Sequence, residues 1–410
     1  MTDQDTFDVA VIGAGPAGSV AAYAAAARGL RVALVDQRSF PRDKSCGDGL
    51  GPGGRRLLKR LRLEHVLADA KPIGQISIMG PDGTDARSDV PIIDGESQHG
   101  YVVAREKLDD RLFRAALALG AVDFSGHKLT DIGSPSGDIR RLTLRPGGAH
   151  GGQSALTLGC RLVIGADGAY SAVRRLLGVP NHPTRHTLLA MRAYADVPEN
   201  FETRLTFEFN RDLIPGYGWT FPNGDGLVNV GVGLPVNNIK SHEIDVRSRL
   251  DEFVDRSRRR GLEIGALRGH RSHHLPTGGY IPQLVHPGAA LVGDSAAMIN
   301  PMSGEGMVYA MTSAVALVER LPADMSNSAA LRESLGRYER WYRATYTKHM
   351  RTNQLAARLM STPRTANWAV RTASKNPEIM TSAVKLLFGL GHVPRRSLVR
   401  SFLKAAVSGG

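Results

Sequence analysis

The residues in this chain best suited to chemistry include a run of glycines. Gly13-Ala14-Gly15-Pro16-Ala17-Gly18 has the G-x-G-x-x-G spacing. Gly13 permits a tight turn, Gly15 lets backbone approach a pyrophosphate, and Gly18 lets a helix pack closely on a strand. Pro16 and Ala17 open that helix, whose unpaired N–H groups and positive dipole end favour phosphate. Asp36-Gln37 stands about twenty residues further on, and an acid there can accept hydrogen bonds from a ribose hydroxyl pair. Together these residues describe a grip on a dinucleotide.

Such a grip needs particular elements beneath it, and the sequence supplies them in order. Asp8 to Ile12 is a short, β-branched apolar run that reads as a buried parallel strand. An Ala-rich helix should run from Pro16 to about Arg28 and stop at Gly29. A second apolar run, Arg31 to Val35, brings Asp36 to the end of the neighbouring strand. That sequence of events sets the run apart from a βαβ unit with incidental glycines.

Other stretches also bring backbone or charge to where a ligand could lie. Cys46-Gly47-Asp48-Gly49 is too glycine-rich for a regular element and reads as an ordered loop. Strands end at Gly165-Ala166-Asp167-Gly168 and at Gly293-Asp294, and a helix begins near Gly304-Glu305-Gly306-Met307. Arg105 stands at the start of a helix reaching Leu119, where it either braces that helix or presents a cation. Cys46 reads equally as a small buried hydrophobe, and Asp294 as a turn former. Tyr217, Trp219 and Phe221 share one face of a strand, as sheet core or as the wall of an apolar pocket. His273-His274 have no metal-ligand spacing and read as structural or surface residues. Cys46 and Cys160, the two cysteines, form neither a disulfide framework nor a metal cluster.

At 410 residues the chain can bury one large core or two domains sharing one. The pattern predicts an α/β protein: a Rossmann-like domain from 1–74, 100–183 and 285–340, an antiparallel substrate-facing sheet from 75–99 and 184–284, and a basic helical region, 341–410. Exposed turns are expected near 134–137 and 147–152. No apolar run reaches the ~20 residues of a membrane span. The acidic N-terminus lacks the features of an export leader, so a cytoplasmic enzyme is expected. The net charge is +13, and residues 341–410 hold twelve basic residues against one acid, Glu378, a net +11. Without a nucleic-acid module this excess does not read as nucleic-acid binding. Residues 386–407 interleave apolar and basic side chains, which suits either an anionic membrane face or a solvated helix.

Taken together, the N-terminal motif, YVVAREKLDDRL (101–112), GADGAYSAVRRLLG (165–178) and ALVGDSAAMINPMSGEGMVYAM (290–311) resemble flavoproteins of the p-hydroxybenzoate-hydroxylase-like group. Within it, FPRDKSCGDGL (40–50), PGYGWTFPNGDGLVNVGVG (215–233) and NPMSGEGMVYAM (300–311) resemble the geranylgeranyl reductase family, although Met302-Ser303 stand where that family often has Phe-Asn. The resemblance implies FAD as cofactor. Asp36 and Gln37 would hold the adenosine ribose, Leu129 would lie by the adenine, and Gly13, Gly15, Pro16, Ala17 and Gly18 would hold the pyrophosphate. Arg105, Gly293 and Asp294 would serve the phosphate-ribityl part, with Asp167 supporting cofactor and reductant. Cys46, Gly47 and Gly49 would lie along the flavin, and Gly304, Gly306 and Met307 at its pyrimidine edge. A helix N-terminus there would stabilise negative charge on the reduced ring.

No second G-x-G-x-x-G unit is present, so electrons should come from a transiently bound NAD(P)H or an external carrier. The implied activity is hydride transfer from reduced flavin to a C=C bond of an isoprenoid lipid or quinone. The alternative is a monooxygenase hydroxylating or epoxidising a hydrophobic substrate, since one fold serves both. A flavin halogenase would need the first Trp of a W-x-W motif, where this chain has Tyr217. A non-enzymatic prenyl-binding module would not need the DG and GD turns. No residue is singled out as a catalytic acid, no metal is expected, and the oligomeric state is left open.

Overall fold

The computed structural model describes residues 6–90, 92–93, 96–97, 99–134, 137–147 and 154–388. The membrane-suited segment beyond Phe388 and most of the two expected turns lie outside them.

The β-branched run folds as the strand Thr6–Ile12, flanked in parallel by Val32–Asp36 and Leu156–Gly165. Both faces of it are covered, which is why it lacks apolar–polar alternation. Val122–Ser125 extends the parallel set on one side and Ala289–Leu291 on the other, within an eight-stranded sheet. The remaining strands, His127–Ile132, Arg140–Pro146 and Val285–His286, join it in antiparallel fashion. Gly13 turns the chain at φ +96°, and a Cβ there would stand 2.4 Å from the Ala166 carbonyl. A Cβ on Gly18 would come within 1.7 Å of the Gly13 carbonyl oxygen. Glycine at 18 is therefore what lets the helix Pro16–Ala26 sit against the strand. That helix packs on Arg105–Ala118 and Met307–Glu319.

The second sheet has seven strands in the order Arg268–Pro276, Thr187–Asp196, Leu227–Pro235, Tyr217–Pro222, Arg204–Glu208, Gln75–Met79, Asp85–Asp89. Its pairs are antiparallel except 75–79 with 204–208, which run parallel. The long excursion through the first sheet between these two strands allows that pairing. The helix Val246–Arg259 covers one face through Leu250, Phe253 and Val254.

Residues 341–388 are joined to both cores. The helix Ser328–Leu359 runs unbroken through position 340, and Leu331, Leu335, Tyr338 and Tyr342 recur along its buried stripe. The Tyr338 hydroxyl donates to the Leu291 carbonyl at 3.0 Å. The domain boundary expected at 340/341 therefore falls inside a helix, because the basic surface residues mask a continuous apolar stripe. The helices Pro363–Lys375 and Pro377–Leu387 then lay Ala366, Val370, Ile379 and Val384 on the second sheet, in the cluster that holds Ile76, Phe207 and Trp219. Arg351, Arg358 and Arg364 remain exposed.

Val370→Asp should remove roughly 3 kcal/mol or more by burying a charge without a partner. The exposed Ser374→Asp should change stability by under ~0.5 kcal/mol. Comparison of thermal midpoints checks both; equal midpoints would mean that the helix is not packed as described.

Candidate active site

One cavity of about 960 Å³ lies where the two sheets meet. On its nucleotide side it is lined by Gly13, Gly15, Pro16, Ala17, Asp36, Gln37, Leu129 and Asp167. Cys46, Gly47, Gly49, Arg105, Asp294, Gly304, Gly306 and Met307 also face it, and Tyr217, Trp219 and Phe221 close it from the second sheet. Two residues expected at the site are absent from the lining. Gly18 is spent on helix–strand packing. Gly293, at φ +63°, packs so tightly that a Cβ would stand 3.1 Å from Ala310 and 3.3 Å from Ala17.

A ladder of buried charge runs beside the glycine turn. Arg105 donates from Nε and Nη2 to the two oxygens of Asp109, each at 2.7 Å. Arg42 reaches the same carboxylate at 3.0 Å and Asp36 at 3.4 Å. A Cβ built on Gly15 would lie 3.7 Å from Arg105 and 3.8 Å from Arg42, so two guanidinium groups converge over the loop that could cradle a pyrophosphate. Burial opposes the Arg105 charge, but Asp109 outweighs it and holds the group protonated well above the ordinary range. Asp36 also accepts from the Ala14 N–H at 2.9 Å, so it fixes the glycine turn as well as facing the cavity.

Further along, Lys44 Nζ stands 2.5 Å from His273 Nε2. Burial drives the lysine down to about 8, against the pull of Asp294. Burial, then the Lys44 charge, drives His273 down to about 3, which leaves it a neutral acceptor. Burial raises Asp294, while Lys44 and Arg105 restrain it. Asp167 is raised by burial and spends its oxygens on the Ser171 hydroxyl and the Val173 N–H, capping the short helix Ala172–Leu176.

The aromatic strand is both sheet core and cavity wall. Tyr217, Trp219 and Phe221 are each under 10 % exposed, and Phe207 packs on Phe221 with ring centroids 5.1 Å apart. The polar ends of two of these residues tie the sheet to the nucleotide-side loops. The Tyr217 hydroxyl donates to the Ser303 carbonyl. Trp219 Nε1–H donates to Asn229 Oδ1 at 2.9 Å, and Asn229 Nδ2 donates to the Cys46 carbonyl and to Asp48, each at 2.8 Å. A Cβ on Gly47 would lie 3.3 Å from both Phe221 and Trp219, tighter than ordinary contact, so glycine lets this loop lie close against the wall.

Sequence reasoning missed Arg42, Lys44, His273 and Glu305, all of which line the cavity. A faint signal lay in Phe40-Pro41-Arg42-Asp43-Lys44, where three charges crowd a loop too short to hold them all in solvent. His273 gave none, since its partner is 229 residues away.

This combination of a glycine turn, converging guanidinium groups, DG and GD loops and an apolar wall defines an FAD-dependent oxidoreductase. Residues 6–209 match an FAD-binding domain and residues 191–268 a geranylgeranyl reductase catalytic domain. The chain is 32% identical over 391 residues to a menaquinone reductase of Mycolicibacterium smegmatis, covering 93% of this chain and 91% of that one. It is 30% identical to a digeranylgeranylglycerophospholipid reductase of Methanocella arvoryzae, covering 75% of each. The fold is shared with a geranylgeranyl bacteriochlorophyll reductase-like protein from Thermoplasma acidophilum, at TM-score 0.80, 21% identity and coverage of 98% and 99%. It is also shared with a flavin-dependent brominase, at TM-score 0.76, 17% identity and 98% coverage of each chain. The chain belongs to the geranylgeranyl reductase family of FAD-dependent oxidoreductases.

The residues present fit FAD. A cradle that side chains at 13 and 18 would fill leads past two guanidinium groups to a flat glycine loop facing aromatic rings. Arg105→Ala should weaken FAD binding about tenfold to a hundredfold, the worth of one or two charge-assisted hydrogen bonds. Flavin fluorescence titration checks this; an unchanged affinity would remove Arg105 from the cofactor's contacts.

Proposed function

We propose that this enzyme reduces carbon–carbon double bonds in the prenyl chain of a membrane lipid or quinone. The observation that carries the reading is the continuity of one cavity from the glycine turn to the wall of Tyr217, Trp219, Phe221, Phe207, Leu387 and Phe388, which offers a prenyl chain apolar surface beside the cofactor's reactive end. The relatives named for menaquinone and for digeranylgeranylglycerophospholipid support the same substrate class.

Bound FAD supplies the hydride when reduced, and the chain supplies position and field. Gly15, Arg42 and Arg105 would hold the pyrophosphate, Asp36 and Gln37 the ribose, and Lys44 with Asp294 the ribityl chain. The backbone N–H groups of Gly306 and Met307, at the start of the helix Met307–Glu319, would stabilise negative charge on the reduced ring. The aromatic wall excludes water and orients the double bond. The reductant is a transiently bound NAD(P)H or an external carrier.

A membrane-resident substrate also gives the basic C-terminal region a purpose. Among the described residues no helix is long and apolar enough to cross a bilayer. Contact with the inner membrane face would be peripheral, through the exposed Arg351, Arg358 and Arg364 and the segment beyond Phe388.

Two measurements test this reading. Reduced enzyme mixed without oxygen with a prenylated quinone or geranylgeranyl lipid should be reoxidised in a single turnover, giving a product heavier by two hydrogens. An oxygenated product formed only in air would instead establish a monooxygenase. In flotation with anionic liposomes the full chain should bind, and a chain ending at Phe388 should bind at least severalfold less; equal flotation would exclude a role for that segment.

A further inference from the structure

Reduction of a double bond consumes a hydride and a proton, and the acid that gives the proton has to face the apolar part of the cavity. Five carboxyl groups line the cavity, and four of them have charged or hydrogen-bonding partners. Asp36 pairs with Arg42, and Asp43 with Arg192 and Arg271. Asp167 caps its helix, and Asp294 lies in the field of Lys44 and Arg105.

Glu305 differs from these four. It precedes the helix Met307–Glu319, and the backbone N–H groups of Gly51 and Val308 only partly offset the effect of burial on its carboxyl. A Cβ on Gly51 would stand 2.6 Å from Glu305 Oε2 and 3.2 Å from the Phe388 ring, so carboxyl and ring meet over this glycine. Its other oxygen, Oε1, is buried without a hydrogen-bond partner. Beside it, a Cβ on Gly304 would lie 3.0 Å from the Tyr217 hydroxyl, which places the Glu305 loop against the aromatic wall. The Tyr217 phenol is itself already donating to Ser303.

We propose that Glu305 is the proton donor to the prenyl double bond. The inference rests on the reductase reading above. As hydride from reduced FAD forms a bond to one alkene carbon, the Glu305 O–H bond breaks and its proton forms the C–H bond at the other. Two electrons leave the cofactor, and the carboxylate is reprotonated from solvent before the next turnover. Burial supports the role by pushing Glu305 up to about 8, so that it carries a proton at neutral pH. The titratable group that feels its charge is the Tyr309 phenol, raised above its own ordinary range by burial and then by Glu305. Gly51 and Phe388, packed on it from other elements, carry no charge.

Glu305→Gln, nearly isosteric but unable to give up a proton, tests the proposal. The variant should bind FAD with unchanged stoichiometry and be reduced normally, yet its reoxidation by prenyl substrate should slow about 100-fold or more. In the wild type that step should fall as pH rises through about 8, where the acid loses its proton; Glu305→Asp should keep the same falling limb at a lower rate. Infrared difference spectra should show a protonated-carboxyl band in the wild type that is missing in Glu305→Gln. Wild-type reoxidation kinetics in Glu305→Gln, or a wild type without that band at pH 7, would overturn the assignment. Failure of the wild type itself to reduce a prenyl chain would overturn the function beneath it, and the spectra and the variant ratio tell the two apart.

Discussion

The hydrogen-bonded seam between Trp219, Asn229 and the Cys46–Asp48 loop is the constraint on which the rest of this site depends. A sheet and a nucleotide-binding domain can share a cavity without forming an active site, because a small slip between them would separate the cofactor from its substrate. Here the indole N–H orients Asn229, and Asn229 donates both to the Cys46 carbonyl and to the Asp48 carboxylate. The bonds among Trp219, Asn229 and Asp48 are buried, so breaking one leaves its partner unsatisfied, at a cost of about 1–3 kcal/mol. The loop carries its own strain. Asp48 adopts φ +61° and has one oxygen with no partner, and burial raises its carboxyl to about 6. A conformation costing on the order of 1–3 kcal/mol persists only where the surroundings over-determine it, as Tyr194 and Asn229 do here.

The same economy governs the nucleotide side. Arg105, Asp109, Arg42 and Asp36 alternate in sign, so a buried cation is never without a counter-charge even before a diphosphate arrives. A bare pair of guanidinium groups would repel and swing away from the turn. Held by Asp109, they stay aimed at Gly15, and ordering them is a cost already met at folding rather than at binding. Arg192 extends the logic to the second sheet: 1 % exposed, it donates to Asp43 and so anchors the start of the loop that also bears Lys44 and Cys46.

How much of this was legible in the sequence divides along a physical line. Gly13 and Gly18 were readable because each satisfies a local requirement, a positive φ or a close approach, that no other residue meets. The alternation of Tyr217, Trp219 and Phe221 gave their common face for a similar reason. Arg42, Lys44, His273 and Glu305 were not readable, because their character comes from partners 67 or 229 residues distant, or from burial that only the closed cavity creates. The C-terminal region misled in a different way. Its charge count describes the outward face, while the tyrosines and leucines that fix the helix Ser328–Leu359 to the first core are diluted among basic residues.

That region also explains why the cavity is bounded as it is. The aromatic strand by itself would leave part of its apolar face open to water. The helices Pro363–Lys375 and Pro377–Leu387 cover that face, and Asn300, in the loop leading to Glu305, donates to the Leu386 carbonyl at 2.9 Å. The cavity's last wall, Leu387 and Phe388, is thereby fastened to the very loop that lines the cofactor end. Movement of the terminal helix would pull on Asn300, and through Asn300 on the backbone of Met302 and Ser303, whose N–H groups it accepts. The last described helix is thus mechanically linked, through Asn300, to the loop Met302–Ser303 that precedes Gly304 and Glu305 in the cavity lining.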